Sequence, residues 1–191
     1  MDGYDDEIWR QVPHPAARPP AHLERFVSAL GPVGSALDVG CGDGRLSEAL
    51  EAQELCLADV SEVALARARE RLPVARVVLV EPDRPLPLPD NGFDLVLCAE
   101  TLEHVRDVQL FLSETRRVLR PGGRLAITTP AYGRVVGLDV LLGGFERRFD
   151  PLSPHLRFFT RRSLAGLLDA LGFEVAELRR EGGTLMAVGK R

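Results

Sequence analysis

The residues best suited to chemistry fall in one stretch, Leu37-Asp38-Val39-Gly40-Cys41-Gly42-Asp43-Gly44. Glycine takes positive φ without strain and lets a backbone come close to a ligand. The stretch begins within the short apolar run SALDVG (35–40), so it reads as the turn out of a first strand. In an open α/β sheet, ligands bind at the carboxyl ends of strands. A second candidate is Asp59, 19 residues after Gly40 and at the end of the apolar run LCLAD (55–59). A carboxylate placed there can accept hydrogen bonds from both hydroxyls of a ribose.

The glycine spacing discriminates between ligands. The dinucleotide fingerprint is G-x-G-x-x-G. Counting from Gly40 the sixth residue is Arg45, and from Gly42 it is Ser47, so the pattern here is G-x-G-x-G. An NAD-dependent reductase is therefore the weaker alternative. Composition removes other classes. The only lysine is Lys190, so neither the G-K-[ST] of a P-loop nor a buried Schiff-base lysine can be built. Net charge is −4, without the basic footprint of a nucleic-acid binder. Cys41, Cys56 and Cys98 form no C-x-x-C pair, so reduced thiols are expected and no metal site. No apolar run approaches a membrane span, and the acidic start MDGYDDEIWR is no secretory signal. A cytoplasmic location is the expectation.

Stepping elements position these residues. Residues 11–20 carry four prolines and read as an extended leader. Leu23, Phe26, Val27 and Leu30 are spaced for a helix over 21–30. From residue 35, strands and helices alternate: strands at 35–40, 55–59, 75–80, 93–99 and 124–129, and helices at 44–52, from Ser61 to about Arg71, and from about Asp107 to Leu119. Pro121-Gly122-Gly123 reads as the turn into the fifth strand. Thr160 caps a last helix ending at Gly172. Strands 173–180 and 184–189 are joined only by Glu181-Gly182-Gly183, which forces an antiparallel hairpin. The expected fold is α/β: a Rossmann-like open sheet, mostly parallel and seven-stranded, with an antiparallel C-terminal hairpin strand and helices on both faces. The whole chain, 1–191, reads as one domain, with 1–34 as leader and helix.

Taken together, LDVGCGDGRL, Asp59, LPLPDNGFDLVLC, AETLEHV, LRPGGRLAITTP and HLRFFTRRSLAGLLDALGFEV resemble the class I methyltransferases that use S-adenosylmethionine (SAM). Within that class the chain is similar to the group of ubiquinone-biosynthesis O-methyltransferases. The resemblance implies SAM as cofactor and S-adenosylhomocysteine as product. It implies that Gly40, Cys41, Gly42 and Gly44 line the methionine part, that Asp38 meets its amino end, that Asp59 holds the ribose and that Val60 lies beside the adenine. The same resemblance implies that Cys98, Ala99 and Glu100 form the floor near the sulfonium. Family members commonly set an aspartate after the third strand against the adenine. Here counting back from Leu86 lands on Pro82, with Glu81 and Asp83 alongside, and Asp83 is chosen.

Methyl transfer from a sulfonium is an in-line displacement in which positioning supplies much of the rate. A general base is needed only where the acceptor keeps its proton. The candidates for catalysis or substrate contact are His104, His155 and Tyr132. Asp94 reads as structural. The long segment 131–159 is an acceptor-side insertion, expected with the helix at 21–30 to cover the cofactor and form the acceptor pocket. Leu138, Leu141, Leu142 and Phe145 within it fall at helical spacing, and Phe149 offers another apolar group. A small-molecule acceptor is the expected partner. A SAM-binding protein without turnover, a sensor or inactive partner, stands as the rival.

Overall fold

Alternation along the strands decides which side chains face which layer. In β1 (Val33–Val39) and β4 (Phe93–Ala99), Leu37, Val39, Val96 and Cys98 enter one apolar cluster, while Ala36, Leu95 and Leu97 enter another on the opposite face. The computed structural model describes residues 3–15, 17–143 and 153–191. The remaining strands are β2 (Ala52–Asp59), β3 (Arg76–Leu79), β5 (Leu119–Pro130), β6 (Glu174–Glu181) and β7 (Thr184–Lys190). They form one seven-stranded sheet in the order β3-β2-β1-β4-β5-β7-β6. β1 to β5 pair in parallel, and β7 runs antiparallel to both β5 and β6. The mixed sheet with an antiparallel hairpin is the one the sequence predicts.

Helices cover both faces. α2 (Ala21–Ser28) buries Leu23, Phe26 and Val27 against Leu95, Leu97, Ala126 and Met186. α4 (Val108–Val118) and α6 (Arg161–Ala170) bury Leu112, Leu164 and Leu168 in the other cluster. α3 (Glu62–Arg71) packs Leu65 and Ala68 on Leu57 and Cys41. The expected caps are present: Ser61 accepts from the Ala64 N–H at 3.1 Å, and Thr160 forms a capping box with Ser163. The hairpin turn is two residues, Gly182-Gly183, both at positive φ, with Glu181 opposite Thr184.

Three elements differ from expectation. Residues 44–52 hold only a 3₁₀ turn, Ser47–Ala49, in place of a helix. Strand pairing takes the end of that stretch: the Val33 N–H donates to the Glu51 carbonyl and β2 pairs with β1 from Val33↔Ala52 onward. The Pro121-Gly122-Gly123 segment lies within β5, where pairing jumps from Phe93↔Leu119 to Leu95↔Arg124, and Asp94 bonds Arg120 across the irregularity at 2.6 Å. The leader opens with α1 (Tyr4–Gln11), which has no buried residue and so leaves no apolar period to read. α5 (Arg134–Gly143) realises part of the predicted insertion helix, but Leu141 and Leu142 are exposed. Phe145 and Phe149 lie outside the described residues.

Candidate cofactor site

The chain reverses direction across the sheet between β1 and β4, which makes the carboxyl ends of these two neighbours the switch point where ligands bind. Gly40 and Cys41 leave β1 with their N–H groups on the Ala58 carbonyl, tying the turn to β2. Gly40 and Gly42 have φ of 76° and 55°. A Cβ on Gly40 would lie 2.3 Å from Thr101 Cγ2, and one on Gly42 would lie 2.5 Å from Trp9 Cζ2. Glycine is thus required at both positions by backbone and by neighbours.

Asp38 is 2% exposed. Its Oδ2 accepts from the Ser47 hydroxyl at 2.6 Å, whereas Oδ1 is buried with no hydrogen-bond partner among the described residues. Burial, reinforced by the Asp59 charge, pushes its pKa up to about 7 against the pull of Ser47. Asp59 accepts from the Gly42 N–H at 2.8 Å and the Ser61 N–H at 3.0 Å. Burial raises its pKa in spite of these two donors. Each oxygen keeps a lone pair for a further donor. Val60, next in sequence, offers an exposed apolar surface.

α1 closes one side of the turn. Asp6 accepts from the Ser61 hydroxyl at 2.5 Å and the Val63 N–H at 3.2 Å, which docks α1 on the start of α3. Trp9, the only tryptophan, then rests half-buried over Gly42, with the Arg45 guanidinium 5.7 Å from its ring centroid.

Other expected residues are distributed unevenly. The Cys41 thiol packs with Leu57 and Leu65, and Cys98 lies in the main core, so either could offer a ligand only backbone. Burial pushes both thiols up, which leaves them protonated. Glu100, at φ 50°, gives its N–H to the Thr128 carbonyl and accepts from the Thr128 hydroxyl at 2.9 Å. Burial, then the nearby Glu103, raises its pKa to about 7. Ala99 precedes it, half-buried, at the end of β4. Gly44 faces Ala68 of α3 and Leu72 just beyond it. Asp83 faces Arg106 at 3.7 Å and the Asp107 N–H at 3.4 Å. His104 and His155 meet edge to face, ring centroids 4.9 Å apart. Tyr132 stands at the stem of the insertion, its N–H on the Phe159 carbonyl and its ring 4.7 Å from that of Phe158. Asp94 serves the fold, as expected, by bonding Ser35 and Arg120.

Comparison with known proteins identifies the family. Residues 37–127 match the family described as a methyltransferase domain. A probable SAM-dependent methyltransferase of Mycolicibacterium smegmatis is 34% identical over 150 residues, 74% of this chain and 52% of that protein. The chain carries a class I SAM-dependent methyltransferase domain. A ubiquinone/menaquinone biosynthesis C-methyltransferase of Cupriavidus metallidurans is 37% identical over 100 residues, 48% of this chain and 41% of the relative. A SAM-dependent methyltransferase from Aquifex aeolicus shares the fold, with a TM-score of 0.71, 21% identity and 98% of this chain and 99% of the other covered. The chain spans about half the length of the curated relatives it matches.

The methyltransferase domain suits its cofactor on its own geometry. An unpartnered, buried carboxylate oxygen on Asp38 calls for a donor, as an ammonium group is. Sequence reading missed Ser47, Thr101, Trp9 and Asp6. All but Ser47 reach the turn from distant segments. His22, within the helix expected over 21–30, lies in α2 against Gly182.

Proposed function

We propose that this protein transfers the methyl group of SAM to a small-molecule acceptor, with the acceptor entering beside the 131–159 insertion. The unpartnered Asp38 oxygen at the switch point carries the cofactor half of this reading. SAM supplies a methyl group already attached to a good leaving group. Asp38 would take its amino end, Asp59 the ribose, Val60 and Asp83 the adenine side. Gly40, Cys41, Gly42 and Gly44 would offer backbone, and Cys98, Ala99 and Glu100 the floor.

The insertion supports the acceptor half. Its two ends are pinned at the carboxyl end of β5 by the Ala131↔Phe159 bridge. Around that stem, Tyr132, Leu156 and Phe158 present accessible apolar surface, and α5 adds Leu141 and Leu142. Such a surface suits a small organic molecule. The net charge of −4 argues against nucleic acid.

Two measurements test this. Incubation with SAM and a panel of phenols, enols, amines and carboxylates should release S-adenosylhomocysteine with one class. Tyr132→Ala should then cut kcat/KM at least about tenfold, on the order of 1.4 kcal/mol, while SAM affinity holds. SAM binding without release across the panel would leave a sensor in place of an enzyme.

Asp59→Ala tests the cofactor contacts. It removes the acceptor for the Gly42 and Ser61 N–H groups as well as the ribose contact. SAM affinity should fall by about 1–3 kcal/mol, with a lower melting temperature. Unchanged affinity by calorimetry would remove Asp59 from the site.

A further inference from the structure

Past the end of β4, the domain brings together three metal-ligating side chains that the cofactor does not need. One ligand atom each from Glu103, His104 and His155 lies within 4.8 Å of the others. We propose that these three residues bind a divalent first-row transition-metal ion. Two imidazoles and one carboxylate are a donor set that favours such ions over magnesium or calcium, which prefer oxygen.

The site is held from both sides. His155 is 51 residues from His104, yet two backbone bonds and the Arg157 side chain fix its segment. The Leu156 and Arg157 N–H groups both donate to the Glu103 carbonyl, at 2.8 and 3.1 Å, and the Arg157 guanidinium donates to the Val105 carbonyl at 3.0 Å. It also reaches the Arg106 carbonyl. These bonds hold the backbone on which the two imidazoles stand.

The polar atoms around the site are already sorted. His104 Nδ1 sits 3.0 Å from the Pro154 carbonyl, an acceptor, so Nδ1 donates there and Nε2 is the nitrogen left to face an ion. A carbonyl on the far nitrogen is the usual support for a metal-binding imidazole. Glu103 is 1% exposed and accepts from the Thr129 hydroxyl at 3.0 Å through Oε2. Among the described residues it forms no ion pair with an arginine. A buried carboxylate in that state is costly unless protonated or given a cation. Ligand atoms about an ion held at 2.0–2.2 Å stand roughly 3–3.5 Å apart. Binding would draw the three ligand atoms together by about 1 Å.

Three protein ligands leave coordination positions for water or an acceptor's oxygen atoms. That last consequence rests on the methyl-transfer reading; the metal site itself does not.

The experiment is a Co2+ titration of tag-free, EDTA-treated protein, followed by visible absorption and calorimetry. One equivalent should bind, Zn2+ should displace it, and the melting temperature should rise with the ion. His104→Ala and His155→Ala should each weaken Co2+ at least about tenfold, and Glu103→Gln should do the same while keeping the Thr129 bond. His14→Ala should bind as the native protein does. Equal melting temperatures of all variants in EDTA show that they fold. SAM affinity, measured in the same EDTA-treated samples, should hold, so loss of the metal site and loss of the cofactor reading register separately. No Co2+ bound at about 1 mM, or native affinity in both histidine variants, would overturn the proposal.

Discussion

Gly42→Val should weaken SAM binding at least about 100-fold, on the order of 2.7 kcal/mol. Two independent effects produce this. At φ 55° a β-branched residue is strained. Its Cβ would also stand 2.5 Å from the Trp9 ring, so α1 could not rest on the turn. Gly42→Ala should give a smaller loss in the same direction. The readout is built in, because Trp9 is the only tryptophan and lies over Gly42. Titration of the native protein with SAM or S-adenosylhomocysteine should change its emission saturably, with the midpoint calorimetry gives. In Gly42→Val the emission of the free protein should already differ. Native affinity in both glycine variants would place the cofactor elsewhere.

A second large effect follows from Asp38. Its folded-state pKa of about 7 lies above the ordinary carboxylate value. The folded protein therefore holds a proton that the unfolded chain has lost between about pH 4 and pH 7. Stability from this group is complete at low pH and is lost as pH rises through 7. The loss is on the order of 2–4 kcal/mol. Burial is the main cause, Ser47 partly offsets it and the Asp59 charge adds to it. Asp38→Asn should flatten the fall of melting temperature between pH 5 and pH 8. The cationic end of SAM favours the ionised carboxylate, so cofactor affinity should rise with pH through 7 in the native protein and not in Asp38→Asn. Parallel pH profiles of the two proteins, by calorimetry and thermal melts, would remove Asp38 from cofactor binding.

The sequence shows some of this directly and hides the rest for physical reasons. Strand alternation and caps are local signals, so β1, β4, Ser61 and Thr160 could be read from neighbours in the chain. The helix expected at 44–52 could not be corrected that way, because partners on β1 claim Ala52 onward. α1 escapes notice because it buries nothing of its own and is held by one aspartate to a serine 55 residues away. Within the candidate site, Asp59 was marked by its place at a strand end and Asp38 by the family resemblance. The partners that tune them, Ser47 and the Gly42 N–H, follow from the folded turn. His104 and His155 stood out separately as chemistry-bearing residues. Their pairing with Glu103 depends on how the end of the insertion docks on β4, which no local pattern encodes.

The open sheet also has two margins, and both discourage association with other sheets. Unpaired strand margins offer rows of N–H and C=O groups to any passing chain. On one side the margin is β3, only four residues long. On the other it is β6, where Glu174, Glu177, Arg179, Arg180 and Glu181 crowd the strand with charge. Arg179 bridges Glu177 and Glu181 at 2.8 Å each, and Arg161 from α6 takes the Leu178 carbonyl at 2.8 Å. A chain attempting to extend the sheet there would have to displace these ion pairs and desolvate their charges. Concentrated solutions of the folded protein are thereby guarded against strand-to-strand aggregation.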